Sequence, residues 1–459
     1  MEKNKLKILG FGSLLAVAVG LVVSQGVMAL MLTGAGIGGI GFLIPLTLGL
    51  ILAITYVISF SELSLMIPKS GSLASYTEVA IGNLPAIIAV FAGYVVVAMF
   101  ALSAELLLVD HIIGKVFPGA FPEFLIGFLI LGLFTVLNLM GIDVFANIQK
   151  GLATIMIILL VILGIGSLFA IGNPHTEGIN LTDNMNPLGA GVITLVALAV
   201  WGYVGAEFAC PLVEECRDPV KDLPKAMLTG VVMIFIVIAM YSMGALMYIP
   251  ADELAASELP HYDFALAAFG ETGLIFVVIA AVAATCSTVN SSLAAVPHML
   301  YGMAKNGQVF SQFKLTTKDK QVPWVAVLFI SVIAALPMVF MYDKQGAVLM
   351  MLVAAAISWL IAYIITHINV IVLRKRYPNL DRPYKTPFYP VPQVIGILGM
   401  LYAILYASET ADIYYAAIIV LLIAVVFGVF WVKFKMKTGL FEPVPIEKVL
   451  DIKPRRWKG

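Results

Sequence analysis

The residues of this chain best placed to do chemistry are carboxylates and glycines set inside apolar stretches. Glu207 closes the run Ala199-Val200-Trp201-Gly202-Tyr203-Val204-Gly205-Ala206-Glu207, in which two glycines and an acid interrupt a segment otherwise long and apolar enough to cross a bilayer. Ser24-Gln25-Gly26 interrupts the first apolar stretch at about half its length. In lipid an irregular backbone is tolerated only where it is buried in protein or lines a wet cavity, and paired interruptions in two sequence halves point to a transporter's substrate site. Each half-helix that follows a break, near Val27 and Ala206, starts with free N–H groups, and each that precedes one ends in bare carbonyls. A zwitterion suits such a pair. Its carboxylate is expected on Ser24, Gln25, Gly26 and Val27, and its amine and side chain on Val200, Trp201, Gly202, Tyr203 and Gly205.

Trp201 and Tyr203 flank Gly202 and could cover a guest with an aromatic face that attracts ammonium or guanidinium groups, or could simply pack. At mid-depth the carboxylate of Glu207 can carry a proton, balance a cationic guest, or satisfy the freed N–H groups of the break. Glu105, on Met99-Phe100-Ala101-Leu102-Ser103-Ala104, is a second candidate for proton or cation coupling unless it reaches the outer interface beside Asp110 and His111. A polar stripe, Thr285-Cys286-Ser287-Thr288-Val289-Asn290-Ser291-Ser292, is too long for a lipid-facing surface; Cys286 and Ser287 are further substrate candidates, and helix packing is the alternative. Glu62 is expected to snorkel or to pair with a basic residue. His298 and His367 read as structural, and so do Cys210, Cys216 and Cys286 as small buried residues without zinc or disulfide spacing. Thr33 to Gly41 holds G-x-G-x-x-G, but after a membrane helix rather than a strand, which favours a flexible turn over a dinucleotide site. There is no Ser-His-Asp set, metal-ligand cluster or P-loop, so neither an enzyme nor a pump is expected, and no cofactor, metal or nucleic-acid partner.

The elements that must position these residues are membrane helices. The chain of 459 residues is 61% hydrophobic and 12% charged, with a mean hydropathy of +1.02. A soluble domain carries roughly a quarter charged residues, so this is an all-α polytopic membrane protein. Apolar spans fall near 9–32, 41–66, 85–113, 122–140, 150–172, 189–213, 226–249, 272–303, 323–341, 347–373, 392–408 and 412–434. With twelve spans and both termini in the cytoplasm, all but Lys115 and Lys344 of the 27 basic residues lie inside, as the positive-inside rule requires. The first and sixth spans then run antiparallel and each begins a block of five, an inverted repeat. The chain divides into a cytoplasmic tail (1–8), a first repeat (9–172), a second repeat (173–373), two last helices (392–434) and a basic tail (435–459) expected to lie against anionic lipid.

Four stretches together resemble the amino acid, polyamine and organocation superfamily of secondary transporters. They are the first break, Trp201 to Glu207 followed by Glu214-Glu215-Cys216-Arg217-Asp218-Pro219-Val220-Lys221-Asp222-Leu223-Pro224, Tyr301-Gly302-Met303-Ala304-Lys305-Asn306-Gly307, and Arg382-Pro383-Tyr384-Lys385-Thr386-Pro387-Phe388-Tyr389-Pro390. The resemblance covers nearly the whole chain and implies the leucine-transporter fold, five-plus-five inverted helices with two more. Tryptophan followed six residues later by glutamate resembles bacterial arginine-agmatine and putrescine-ornithine antiporters, which would make Trp201 a lid and Glu207 a group for pH response or amine recognition. Two departures stand out: Ser24-Gln25-Gly26 replaces the common Gly-Ser-Gly, and Met156 stands where many relatives have a lysine.

The sequence therefore predicts a secondary active transporter of an amino acid or its amine derivative, working as an exchanger, monomeric or homodimeric in a cell membrane. A proton or sodium symporter, the latter using Ser287, Thr288 and Ser291, and a non-transporting nutrient receptor are the alternatives.

Overall fold

The first apolar stretch is two helices, α1 (Phe11–Val22) and α2 (Gln25–Gly38), separated at Val23 and Ser24. Ser24 is a side-chain cap, its Oγ accepting from the N–H of Val27 at 3.1 Å, which is what a serine before a helix offers the unsatisfied first turn. The computed structural model describes residues 8–169, 193–341, 346–408 and 411–450. The outer segment 173–188, including His175, Glu177 and Asp183, lies outside the described residues.

After α2 come α3 (Leu43–Met66), α4 (Leu73–Ala80), α5 (Asn83–Val90), a π-turn (Phe91–Val96), α6 (Val97–Val116), α7 (Leu125–Leu139) and α8 (Ile142–Leu168). The sixth span is α9 (Val196–Trp201), a turn, and a 3-10 stretch, Ala206–Glu215. Gly205 makes this break possible: its φ of 119° lies in the left-handed region, and a Cβ there would meet the Leu21 side chain of α1 at 2.4 Å. The second break is thus pressed against the end of α1, beside the first. Next come α10 (Pro219–Ala245), α11 (Ala251–Ala256), α12 (Pro260–Lys305), α13 (Trp324–Met341), α14 (Ala347–Arg376), α15 (Val391–Leu405), α16 (Ala411–Phe430) and α17 (Ile446–Leu450). Asp218 caps α10 by accepting from Lys221 N, with Pro219 in the first turn where its missing N–H costs nothing.

Among the described residues nine segments are apolar and long enough to cross a membrane, counting Gln25–Met66 as one, and α1, α7 and α15 are shorter apolar helices. Among the described residues there is no strand beyond a single bridge between Leu9 and Cys216. Burial sorts the helices. The most apolar window of Val196–Glu215 is 89% buried and that of Asn83–Val116 83%, whereas that of Ala411–Met436 is 22% buried. The broken sixth span and the third are interior, and the last faces outward with exposed Ile418, Leu422 and Val426.

Two expectations need correction. The glycine run is no flexible turn: α2 continues through Gly38, and Gly36 lets it meet the backbone of Ala255, where a Cβ would be 2.4 Å from the amide nitrogen. The eighth span starts where expected, because non-helical Gly270 (φ 59°, ψ −145°) separates it from the short helical segment that begins at Pro260. The tail is not simply laid on lipid, since Val444 N donates to Glu78 O at 2.9 Å and Leu84 N to Leu440 O at 3.1 Å, while Asn306 and Gln308 donate to the Glu78 carboxylate at 2.5 and 2.6 Å. Glu62 pairs with a basic residue, as expected: it is buried, 2.6 Å from Arg374 Nη2 and 3.2 Å from Arg382 Nε, and it accepts from Thr386 N at 2.8 Å. The Arg382 contact is an ion pair without aligned hydrogen-bond geometry. All three cysteines are buried, and none is in a disulfide.

Candidate functional site

The first break holds its own carboxylate. Gln25 N and Gly26 N, the opening donors of α2, give hydrogen bonds of 2.9 and 2.7 Å to Glu105 Oε2 and Oε1 on α6. With Ser24 taking Val27 N, and Met28 N bonded to Ser24 O at 3.1 Å, the first turn of α2 is satisfied from within the protein. Gly26 allows this approach, because a Cβ there would stand 2.8 Å from Glu105 Oε1. Glu105 is 1% exposed and turned inward, not toward the outer interface. Its neighbour Asp110 instead accepts from Phe124, Ile126 and Gly127 N, and so caps α7.

Beside Glu105 lies a cavity between the two breaks, lined by Ser24 and Val27 on one side, Trp201, Val204 and Phe208 on the other, and Leu102, Thr288, Ser292 and Trp359 around them. Trp201 and Trp359 meet edge to face at 5.9 Å. Thr288 Oγ1 and Trp201 Nε1 are buried without a hydrogen-bond partner. Such groups cost stability unless something satisfies them.

Glu207 sits behind this wall, fully buried, with Trp359 Nε1 donating to Oε1 at 2.8 Å and Tyr363 O–H to Oε2 at 2.6 Å. Tyr363 also accepts from Gly205 N at 3.1 Å and stacks on Tyr56 at 4.1 Å, and Tyr56 O–H donates to Tyr203 O at 2.5 Å. The second break is therefore tied to α14 and α3 through a carboxylate and two phenols. On the other side of α1, Ser287 O–H donates to Gly20 O at 2.7 Å, and Gln149 Nε2 donates to Ser287 Oγ at 2.7 Å. Gln149 Oε1 accepts from Asn290 Nδ2 at 2.9 Å. Amides and hydroxyls, rather than a charged group, close that junction.

A family model described as "Amino acid permease" matches residues 9–439 of this chain. The chain belongs to the amino acid permease family. Its relatives include the branched-chain amino acid permease BcaP of Bacillus subtilis (strain 168), 25% identical over 88% of this chain and 89% of that protein. The serine/threonine exchanger SteT of the same bacterium is 23% identical over 88% of this chain and 92% of its own. The human large neutral amino acids transporter small subunit 2 is 24% identical over 83% and 72%. The superfamily resemblance read from the four motifs is borne out, and the protein is a multi-pass membrane protein of a transporter family.

In this permease, Ser24, Val27, Glu105 and Trp201 of the positions singled out from sequence line the cavity, together with Thr288 and Ser292 of the polar stripe. Gln25 points away from it, its Nε2 donating to Leu108 O at 3.1 Å and lying 3.1 Å from His261 Nε2, and its Oε1 accepting from Thr285 at 3.2 Å. Gly26 stands behind Glu105. Val200, Gly202, Tyr203, Gly205, Cys286, Ser287 and Glu207 are buried and outside the lining. Met156, in the lysine position, is buried and also outside it. Trp359 and Phe208 were missed. A tryptophan in the middle of an apolar span was the signal for Trp359; Phe208 gave none, since a phenylalanine in such a span ordinarily packs.

Proposed function

We propose that the protein is a secondary active transporter that moves an amino acid or its amine derivative across a cell membrane by alternating access, as an exchanger. The observation that carries this reading is the meeting of two broken helices at one cavity, with Gly205 against Leu21 and both breaks contributing wall residues. A binding protein needs no such pair of interior discontinuities, whereas a carrier uses them as the points about which half-helices move. The arrangement that goes with this reading is twelve spans, helices 1–5 and 6–10 as inverted repeats over 9–172 and 173–373, both termini cytoplasmic, in a monomer or homodimer. Trp201 serves as lid over the guest, and Glu207, held by Trp359 and Tyr363, relays protonation to the second break. Two relatives whose names describe exchange or amino acid transport, SteT and the human transporter subunit, support the class of substrate and of process.

Proton coupling is the second reading, favoured by the full burial of Glu207 without a basic partner in its hydrogen-bond shell. Purified protein in liposomes decides between them. Uptake of a labelled compound that requires a related compound inside supports exchange, and uptake into empty liposomes driven by a pH gradient supports symport. No uptake of any amino acid or amine under either condition overturns the transport reading.

A further inference from the structure

We propose that Glu105 is a built-in replacement for the carboxylate of an amino acid, so that the guest of this site is an organic ammonium ion that carries no α-carboxylate. The inference rests on the transport reading above and narrows its substrate class.

The N–H groups of Gln25 and Gly26 are the place where a broken first helix would receive an anionic guest group, and both are engaged by the two oxygens of one side chain at 2.9 and 2.7 Å. Two backbone donors at a helix start favour the charged form of a carboxylate and oppose the effect of its burial. Gly26 has no side chain to keep Glu105 out, and Thr285, 3.4 Å from Oε2, helps to fix it. An incoming α-carboxylate would find no free donor there and a negative charge beside it. The rest of the lining agrees. Among the described residues it contains no lysine, arginine or histidine to neutralise a guest anion; Glu105 is its acidic member, and Trp201, Phe208 and Trp359 offer aromatic faces. The hydroxyl of Thr288, 94% buried by its exposure of 6%, has no partner and is available to accept from an ammonium N–H. An ammonium group between Glu105, Thr288 and the aromatic walls, with its apolar remainder against Leu102, Val97 and Val204, satisfies the carboxylate and the Thr288 oxygen, while the Trp201 N–H calls for a neutral acceptor on the guest or a water.

The test uses the full-length protein in liposomes and pairs of labelled compounds that differ only by the carboxylate: leucine and isoamylamine, tyrosine and tyramine, ornithine and putrescine, arginine and agmatine. In at least one pair the amine is expected to move, and to compete, at least tenfold better than its amino acid. Glu105→Gln, which keeps size and shape, is expected to lose at least tenfold in amine affinity. Glu105→Ala, which frees both N–H groups, is expected to shift preference toward the paired amino acid. Uptake of amino acids with their amines excluded, and no change of preference in Glu105→Gln, overturns the proposal and leaves the transport reading intact. Movement of no compound from either set, by protein whose thermal unfolding shows it folded, overturns both. The wild-type comparison holds even where a variant fails to fold.

Discussion

At the scale of single residues, the site is decided by what sits on the donors of two helix starts. Gly26 is the position where small size matters most, because a methyl group there would lie 2.8 Å from Glu105 Oε1 and 3.1 Å from Leu352 Cδ1. Gly26→Ala is expected to displace the carboxylate, weakening substrate affinity by about tenfold and stability by about 1–3 kcal/mol, the usual cost of overpacking. Transport kinetics and thermal unfolding in detergent measure the two effects separately. Glu207 is caged by an indole N–H and a phenol, so Glu207→Gln keeps one acceptor oxygen and is expected to retain the fold while flattening the pH dependence of transport. An unchanged pH profile would remove Glu207 from the coupling mechanism. Glu207→Ala strands both donors, and an unmade buried hydrogen bond costs about 1–3 kcal/mol each. Both carboxylates were legible as candidates, since acids in apolar spans are expensive and rarely idle. Their partners were not, because Glu105 and Gln25 are 80 residues apart in the chain.

Between elements, the fastening to test is Glu62 on α3, held by Arg374 on α14 and by Arg382 and Thr386 in the segment that follows. Removing one member of a buried charge cluster leaves the others uncompensated, at a cost of about 3–5 kcal/mol. Glu62→Ala is therefore expected to lower the unfolding midpoint markedly, with Glu62→Asp losing less. Equal midpoints for wild type and Glu62→Ala would mean that water satisfies the two arginines. That Glu62 would need a basic partner followed from its place at the inner end of an apolar span; that Arg374 and Arg382 supply it depends on how α14 lies along α3. Helix positions were read well from composition. Ends were read less well, because the glycines of 34–38 continue α2 under the packing of α11, where propensity alone would have stopped it.

For the whole molecule, the proposed orientation puts Lys320 in the cytoplasm and Lys115 outside. Both are exposed, Lys320 paired with Asp143 at 3.2 Å and Lys115 with Asp263 at 3.3 Å. The three native cysteines are buried, so their background in a labelling experiment is expected to be low. With a membrane-impermeant thiol reagent on intact cells, Lys115→Cys is expected to react and Lys320→Cys only after permeabilisation. The reverse pattern would invert the topology and exchange the two faces of the alternating-access scheme.

The sequence by itself determined that the chain lives in a membrane, where its two helix breaks fall and that Glu207 lies beside the second of them. Those properties depend on local composition: apolar run length, glycine, and the cost of a charge in hydrocarbon. Its motifs also carried the family. Only the tertiary structure decided that Glu105 takes the donors of α2, that Trp359 and Phe208 complete the wall, and that Ser287 is engaged by Gln149 and Gly20. The reason is rotational. A helix of given composition can present any of its sides inward, and which side chains meet across a cavity is settled by the packing of several helices at once.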